Sequence, residues 1–172
     1  ISLKFKLMSL ALNFFLLLIS LSFSPKKESI SVKCMIEMKD YSGEGAYINI
    51  SIVSKENYLK TIYVLGNDKA WFSEMKSFWK YIRDNKLYLD KDFYPIIDGI
   101  SGATISGNQK RVIILKIPKS FLNKNHQLRF ETAVEDEGYF ANDVNFVLSK
   151  KGLNKSYSGQ GFIRNVKFIS TN

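Results

Sequence analysis

Short segments in which apolar and polar residues alternate, set apart by turn residues, constrain this chain more than any other feature. From Ser31 to Lys39, the residues Val32, Cys34, Ile36 and Met38 alternate with Lys33, Met35, Glu37 and Lys39, and a period of two marks a strand with one buried face. After the turn residues Tyr41-Ser42-Gly43-Glu44-Gly45, Ile48, Ile50 and Ile52 alternate with Asn49 and Ser51, which reads as a second strand. Tyr58 to Leu65 is rich in β-branched and aromatic residues and stops at Gly66-Asn67-Asp68, a third strand followed by a helix cap. Arg111–Ile117, Gln127–Val134, Asp143–Ser149 and Phe162–Ser170 complete the set of strand-like segments. One stretch has a different period. Trp71, Phe72, Met75, Phe78, Trp79 and Ile82 fall at helical spacing, predicting one helix over about residues 69–84 whose aromatic stripe packs into the core. Seven short strands and a single helix point to an antiparallel sandwich, because a parallel sheet needs a helix after most strands. The expected fold is mainly β, an immunoglobulin-like antiparallel β-sandwich with one helix and an N-terminal leader or anchor.

The chain has 172 residues, of which 45% are hydrophobic, enough for one sizeable core and too few to suggest two. A single domain over residues 25–172 is expected, preceded by a leader over residues 1–24. Lys4 and Lys6 precede an uncharged, largely apolar run from Leu7 to Phe23, the layout of a secretory signal. Ser20-Leu21-Ser22 offers a small-x-small cleavage site, and cleavage near Ser22 is the preferred reading. The run is also about as long as the shortest segments that span a bilayer, so a retained membrane anchor stays open. Either way the domain is expected outside the cytoplasm.

The net charge is +9, and loss of the leader removes only Lys4 and Lys6, leaving 23 basic against 16 acidic residues. These lysines are dispersed and do not cluster with stacking aromatics, so nucleic-acid binding is not expected. A single cysteine, Cys34, excludes an internal disulfide, and a single histidine, His126, leaves no set with zinc-ligand spacing. Cys34 reads as a small buried hydrophobe in a strand, and His126 as a loop residue ahead of one. A serine hydrolase would have to use His126 and lacks a Gly-x-Ser-x-Gly elbow. Glu135-Asp136-Glu137 reads as a solvated turn, and Asp40 and Asp143 as turn formers. No catalytic residues and no metal site are expected.

The segment Asp98-Gly99-Ile100-Ser101-Gly102-Ala103-Thr104 holds two glycines, an acid, two hydroxyls and an alanine in seven positions. Taken alone it is an exposed loop whose glycines permit unusual backbone angles and close approach. The run resembles the acceptor motif of FMN-carrying extracytoplasmic proteins, in which Asp, two variable residues, Ser or Thr, Gly, Ala and Thr follow one another, and every fixed position is matched. The resemblance implies covalent FMN on Thr104, joined through its phosphate by a flavin transferase that uses FAD, with Asp98, Ser101, Gly102 and Ala103 shaping the loop or being read by that enzyme. Where such proteins often have Arg-Pro after the Thr, this chain has Ile105-Ser106.

The order of a strand pair, the helix AWFSEMKSFWKYI, the DGISGAT segment and the late acidic-Gly-aromatic turn in ETAVEDEGYF resembles a family of predicted periplasmic proteins of unknown function, over roughly residues 31–170. That resemblance implies association with flavin transferases and PepSY-type membrane proteins, and a part in moving electrons outside or across the membrane. A flavin ring would need a flat apolar neighbour, for which Phe93, Tyr94, Trp71 and Trp79 are candidates. The other reading is a cofactor-free binding or interaction module on the same sandwich.

Overall fold

The structure, a computed structural model, describes residues 28–55, 57–89 and 103–169. The predicted leader therefore lies outside the described residues, as do Phe93, Tyr94, Asp98, Gly99, Ser101 and Gly102. Eight strands are present among the described residues: β1 (Ser29–Met38), β2 (Tyr47–Ser54), β3 (Asn57–Leu65), β4 (Lys110–Pro118), β5 (Gln127–Val134), β6 (Gly138–Val147), β7 (Ser156–Ser158) and β8 (Ile163–Ile169). They form two four-stranded sheets in the orders β4-β1-β8-β7 and β3-β2-β5-β6, with antiparallel pairing throughout. The fold is mainly β, a sandwich of the expected class.

Alternation explains the layers. Cys34, Ile36 and Met38 of β1, Ile48, Ile50 and Ile52 of β2, and Leu128 and Phe130 of β5 are fully buried in one core between the sheets. Each such side chain contributes about 1.5–3 kcal/mol by leaving water. Alternate residues of β2 and β5 face away from this core, and a second cluster forms on that outer face. There Val64 and Ala133 pack under Phe72, Met75, Phe78 and Ile82, so the predicted aromatic stripe, apart from Trp71, packs into a core. Trp79 packs against the same cluster without being fully buried.

The helix differs from its expected form. Residues Lys69–Glu74 are a 3-10 segment capped by the Asp68 side chain, which accepts from the Ala70 N–H at 3.0 Å. A true α-helix, α1, spans Lys76–Asp84. The two meet at Met75, whose ψ of 80° interrupts the helical path. Both helix types bring residues three apart onto one side, so the spacing of apolar residues cannot distinguish one helix from two.

Two further differences concern β6 and β7. Strand β6 starts at Gly138, five residues before the expected Asp143, because Val134 pairs with Gly138 across a tight hairpin turn at Glu135-Asp136-Glu137. Tyr139-Phe140-Ala141-Asn142 has no alternation to announce it. Strand β7 has three residues, too few for a period. Asp143 consequently lies within β6 and is buried, which corrects its reading as a turn former. Asp40 does occupy a bend, accepting from Asn108 Nδ2 at 2.6 Å. Among the described residues no helix is long and apolar enough to cross a membrane.

Candidate functional site

Of the predicted acceptor segment, Ala103 and Thr104 are described. Their position is set by the next residue. Ile105 is fully buried and forms an isolated antiparallel bridge with Ala46, just ahead of β2. The Ala46 N–H donates to the Ile105 carbonyl at 2.8 Å, and the Ile105 N–H donates back to Ala46 at 3.2 Å. The Tyr41 hydroxyl braces the same pair, donating to the Ile105 carbonyl at 2.6 Å and accepting from the Ala46 N–H at 3.1 Å. Burial pushes the Tyr41 pKa up, while the Ala46 N–H opposes that shift, so the hydroxyl keeps the proton it donates. The Tyr41 ring lies edge-on to Phe162, 5.1 Å away. Ile105 thus serves as an apolar anchor that fixes the C-terminal side of Thr104.

Thr104 itself is half-buried. Facing it is Gly45, where an added Cβ would stand 2.2 Å from Thr104 Oγ1 and 2.6 Å from its Cβ. No residue with a side chain fits there without displacing Thr104. This is a cradle with its contents defined by a missing side chain, and it holds a hydroxyl at the domain surface. On the other side of the segment, Arg111 reaches back from β4 and donates from Nη1 to the Ala103 carbonyl at 2.6 Å. Ala103 is exposed and Arg111 half-buried.

Acidic residues gather around Tyr47 and Glu135 despite the basic chain. Glu135 has its pKa raised by burial and then by Asp136, Glu44, Glu74 and Asp68. Tyr47 is raised by burial and by Asp68, Glu135 and Glu44. These shared influences put Glu44, the neighbour of Gly45, in the same field as the β5–β6 turn. A cleft of about 360 Å³ lies beside that turn, between Glu135-Asp136-Glu137 and the residues Trp71, Lys76 and Tyr139. Lys76 Nζ stands 5.4 Å from the centre of the Tyr139 ring. An added Cβ on Gly43 would meet the Glu137 side chain at 3.5 Å, so the Gly43–Gly45 loop links the Thr104 cradle to the turn. Trp71 lines the cleft, whereas Trp79 belongs to the packing under α1. The acidic turn is solvated, as expected.

Sequence reasoning missed three residues that shape this end of the molecule. Tyr41 and Arg111 act on Ala103–Ile105 from 64 and 8 positions away, and neither carries a local pattern. Glu131, in β5, is fully buried. Its carboxylate accepts from the backbone N–H of Ser77 at 2.8 Å, that of Phe78 at 3.2 Å, the Tyr139 hydroxyl at 2.8 Å and Asn49 Nδ2 at 2.9 Å. The available signal was an acid in the middle of a strand-like segment. Cys34 is buried and His126 precedes β5 in a loop, as expected. His126 Nδ1 lies 3.1 Å from the Phe121 carbonyl. No cluster able to hold a metal ion occurs among the described residues.

Comparison with known proteins found no match among curated proteins or solved structures. A family model described as a predicted periplasmic protein, DUF2271, matches residues 29–165, and the chain therefore belongs to the DUF2271 family of predicted periplasmic proteins.

Proposed function

We propose that this domain is an extracytoplasmic flavoprotein electron carrier bearing FMN on Thr104, loaded by a flavin transferase and exchanging electrons with a membrane redox protein of the PepSY type. The observation that carries the reading is the Thr104 cradle: a half-buried hydroxyl facing Gly45, at the end of a complete Asp-x-x-Ser-Gly-Ala-Thr run. In the loading step the Thr104 oxygen attacks the FMN-side phosphorus of FAD. The bond from that phosphorus to the bridging oxygen breaks, AMP leaves with that oxygen, and the Thr104 proton passes to a base of the transferase.

Asp98, Ser101, Gly102 and Ala103 serve recognition by the transferase in this reading. The bound group supplies the redox chemistry, and the protein contributes position and electrostatics. Ile105 and Tyr41 hold the C-terminal side of the acceptor. The cleft at Trp71 and Tyr139 offers the flat neighbours that an isoalloxazine ring requires. The surrounding carboxylates disfavour the negative charge that a reduced flavin acquires, which lowers its reduction potential. The N-terminal apolar run serves export, with or without retention at the membrane.

The test is co-expression of the exported domain with a flavin transferase, with intact mass recorded for the parent and for Thr104→Ala. An added FMN mass on the parent alone, with fluorescence that survives denaturation, is the expected result. An unmodified parent, in a setting where a control acceptor is loaded, overturns the reading and leaves a cofactor-free binding module.

A further inference from the structure

We propose that Arg129 and Ser51 form a binding site for a small oxyanion on the outer face of the β3-β2-β5-β6 sheet, independent of the acceptor reading of Thr104. Three buried side-chain atoms lack a hydrogen-bond partner among the described residues: Arg129 Nε, Arg129 Nη2 and Ser51 Oγ. Register brings them together, since Ser51 of β2 and Arg129 of β5 stand directly opposite each other in the ladder. Both face away from the main core, because Ile50, Ile52, Leu128 and Phe130 take the inward positions beside them. Side chains paired in this way have Cβ atoms about 4.5–5.5 Å apart, close enough for one small group to touch both.

The neighbouring polar groups are committed to one another. Ser51 is fully buried and Arg129 is 9% exposed, so these donors face little water, and leaving them unpaired is costly. Glu131, two residues along the same face, already takes four donors, from Ser77, Phe78, Tyr139 and Asn49. Thr61, on the other flank of Ser51, shares its hydroxyl with Tyr58, and the Tyr58 hydroxyl donates to Asn49. Tyr58 offers Arg129 the face of its ring, 5.3 Å from Cζ, which attracts the cation without accepting from Nε or Nη2. The pattern of orphaned donors selects the ligand. Nε and Nη2 lie along one edge of the guanidinium, the edge that holds two coplanar oxygens bidentately, and Ser51 Oγ adds a third donor from the facing strand. Two such oxygens and a negative charge are the chemistry shared by carboxylates and phosphates. The route in lies over β6, the edge strand of the sheet, where Asn145 stands opposite Arg129 and is exposed.

The experiment titrates the full exported domain with sodium acetate and, separately, with sodium phosphate, each against sodium chloride at equal ionic strength. The Nε–H resonance of Arg129, assigned by its loss in Arg129→Lys, is followed by NMR, and the melting temperature is recorded beside it. In the parent, at least one oxyanion is expected to shift that resonance to saturation and to raise the melting temperature with concentration, while chloride does neither. The tighter of the two identifies the source of the oxygens. Ser51→Ala is expected to bind about tenfold more weakly, the loss of one hydrogen bond to a charged group. Arg129→Met is expected to lose the response, so that its melting temperature falls further behind the parent as oxyanion is added. A merely structural arginine would leave that gap the same in every salt.

A parent whose Arg129 Nε–H ignores both oxyanions overturns the proposal without help from any variant, since the fork is then filled by the chain itself or by water. An equal rise in melting temperature for the parent and for folded Arg129→Met overturns it as well, by putting the bound ion elsewhere.

Discussion

At the scale of single residues, the motif residue and the residues that hold it come from different parts of the chain. Thr104 was legible because its seven-residue run is contiguous, whereas the glycine that makes room for it lies before β2 and the arginine beside it lies in β4. Nothing local marks Gly45 as different from the other turn glycines around it. Its role appears only when an added Cβ is placed against Thr104 Oγ1. Cys34 shows the opposite case, because alternation alone assigns it to the core, where it is fully buried. Burial pushes its thiol pKa up to about 12 from an ordinary value of 9.0. The folded pKa is the higher one, so this stabilising term is complete below about pH 9 and is lost as pH rises toward 12. One such group adds a slope of at most about 1.4 kcal/mol per pH unit. The melting temperature of the parent is therefore expected to fall between pH 9 and 11, and Cys34→Ala, although less stable at pH 8, to fall less steeply. Equal slopes in thermal melts of the two proteins would remove Cys34 as a cause.

At the scale of elements, the outcome that sequence periodicity could not supply is where α1 begins. The apolar stripe runs without interruption from Trp71 to Ile82, yet the path breaks at Met75. The reason lies across the sheet, in Glu131. Its carboxylate takes the N–H groups of Ser77 and Phe78, which would otherwise be among the unpaired donors of the first helical turn. The same side chain accepts from Tyr139 and Asn49, and Asn49 Oδ1 accepts from the Tyr58 hydroxyl at 3.1 Å. Four donors thus converge on one buried acid, and the helix is seated on the sheet by a polar clasp beneath an apolar lid. Glu131→Gln replaces one acceptor oxygen with a donor that must face other donors. Leaving such a buried group unpaired costs about 1–3 kcal/mol. The expected outcome is a lower midpoint in urea, together with amide exchange in α1 that becomes faster than exchange in β1 and β8. Uniform acceleration across the whole domain would deny Glu131 this specific role.

At the scale of the whole molecule, the two sheets are joined by apolar contact and by one buried acid. Asp143 in β6 accepts from Thr132 Oγ1 at 2.8 Å within its own sheet. It also accepts from the backbone N–H of Gly161 at 2.7 Å and of Ile163 at 2.9 Å, at the start of β8 in the opposite sheet. Asp143→Ala strands three buried donors, and a loss of about 3 kcal/mol or more is expected from equilibrium unfolding. Asp143→Asn should recover part of it, since one acceptor oxygen remains. A change under 1 kcal/mol for the alanine variant would show that water satisfies these donors instead. The sequence by itself determined the class of this fold, because a period of two places Cys34, Ile36, Ile48 and Ile50 on one face of their strands whatever those strands pair with. It also carries the whole of the run proposed as an acceptor, because that signal lies in seven neighbours. Only the tertiary structure decided which strands share a sheet, that Gly45 faces Thr104, and that Tyr41 and Arg111 hold its neighbours Ile105 and Ala103. It likewise decided that Glu131 and Asp143 are buried clasps and not surface acids. These are contacts between residues far apart in the chain, and they exist only once the burial of apolar faces has brought the strands together.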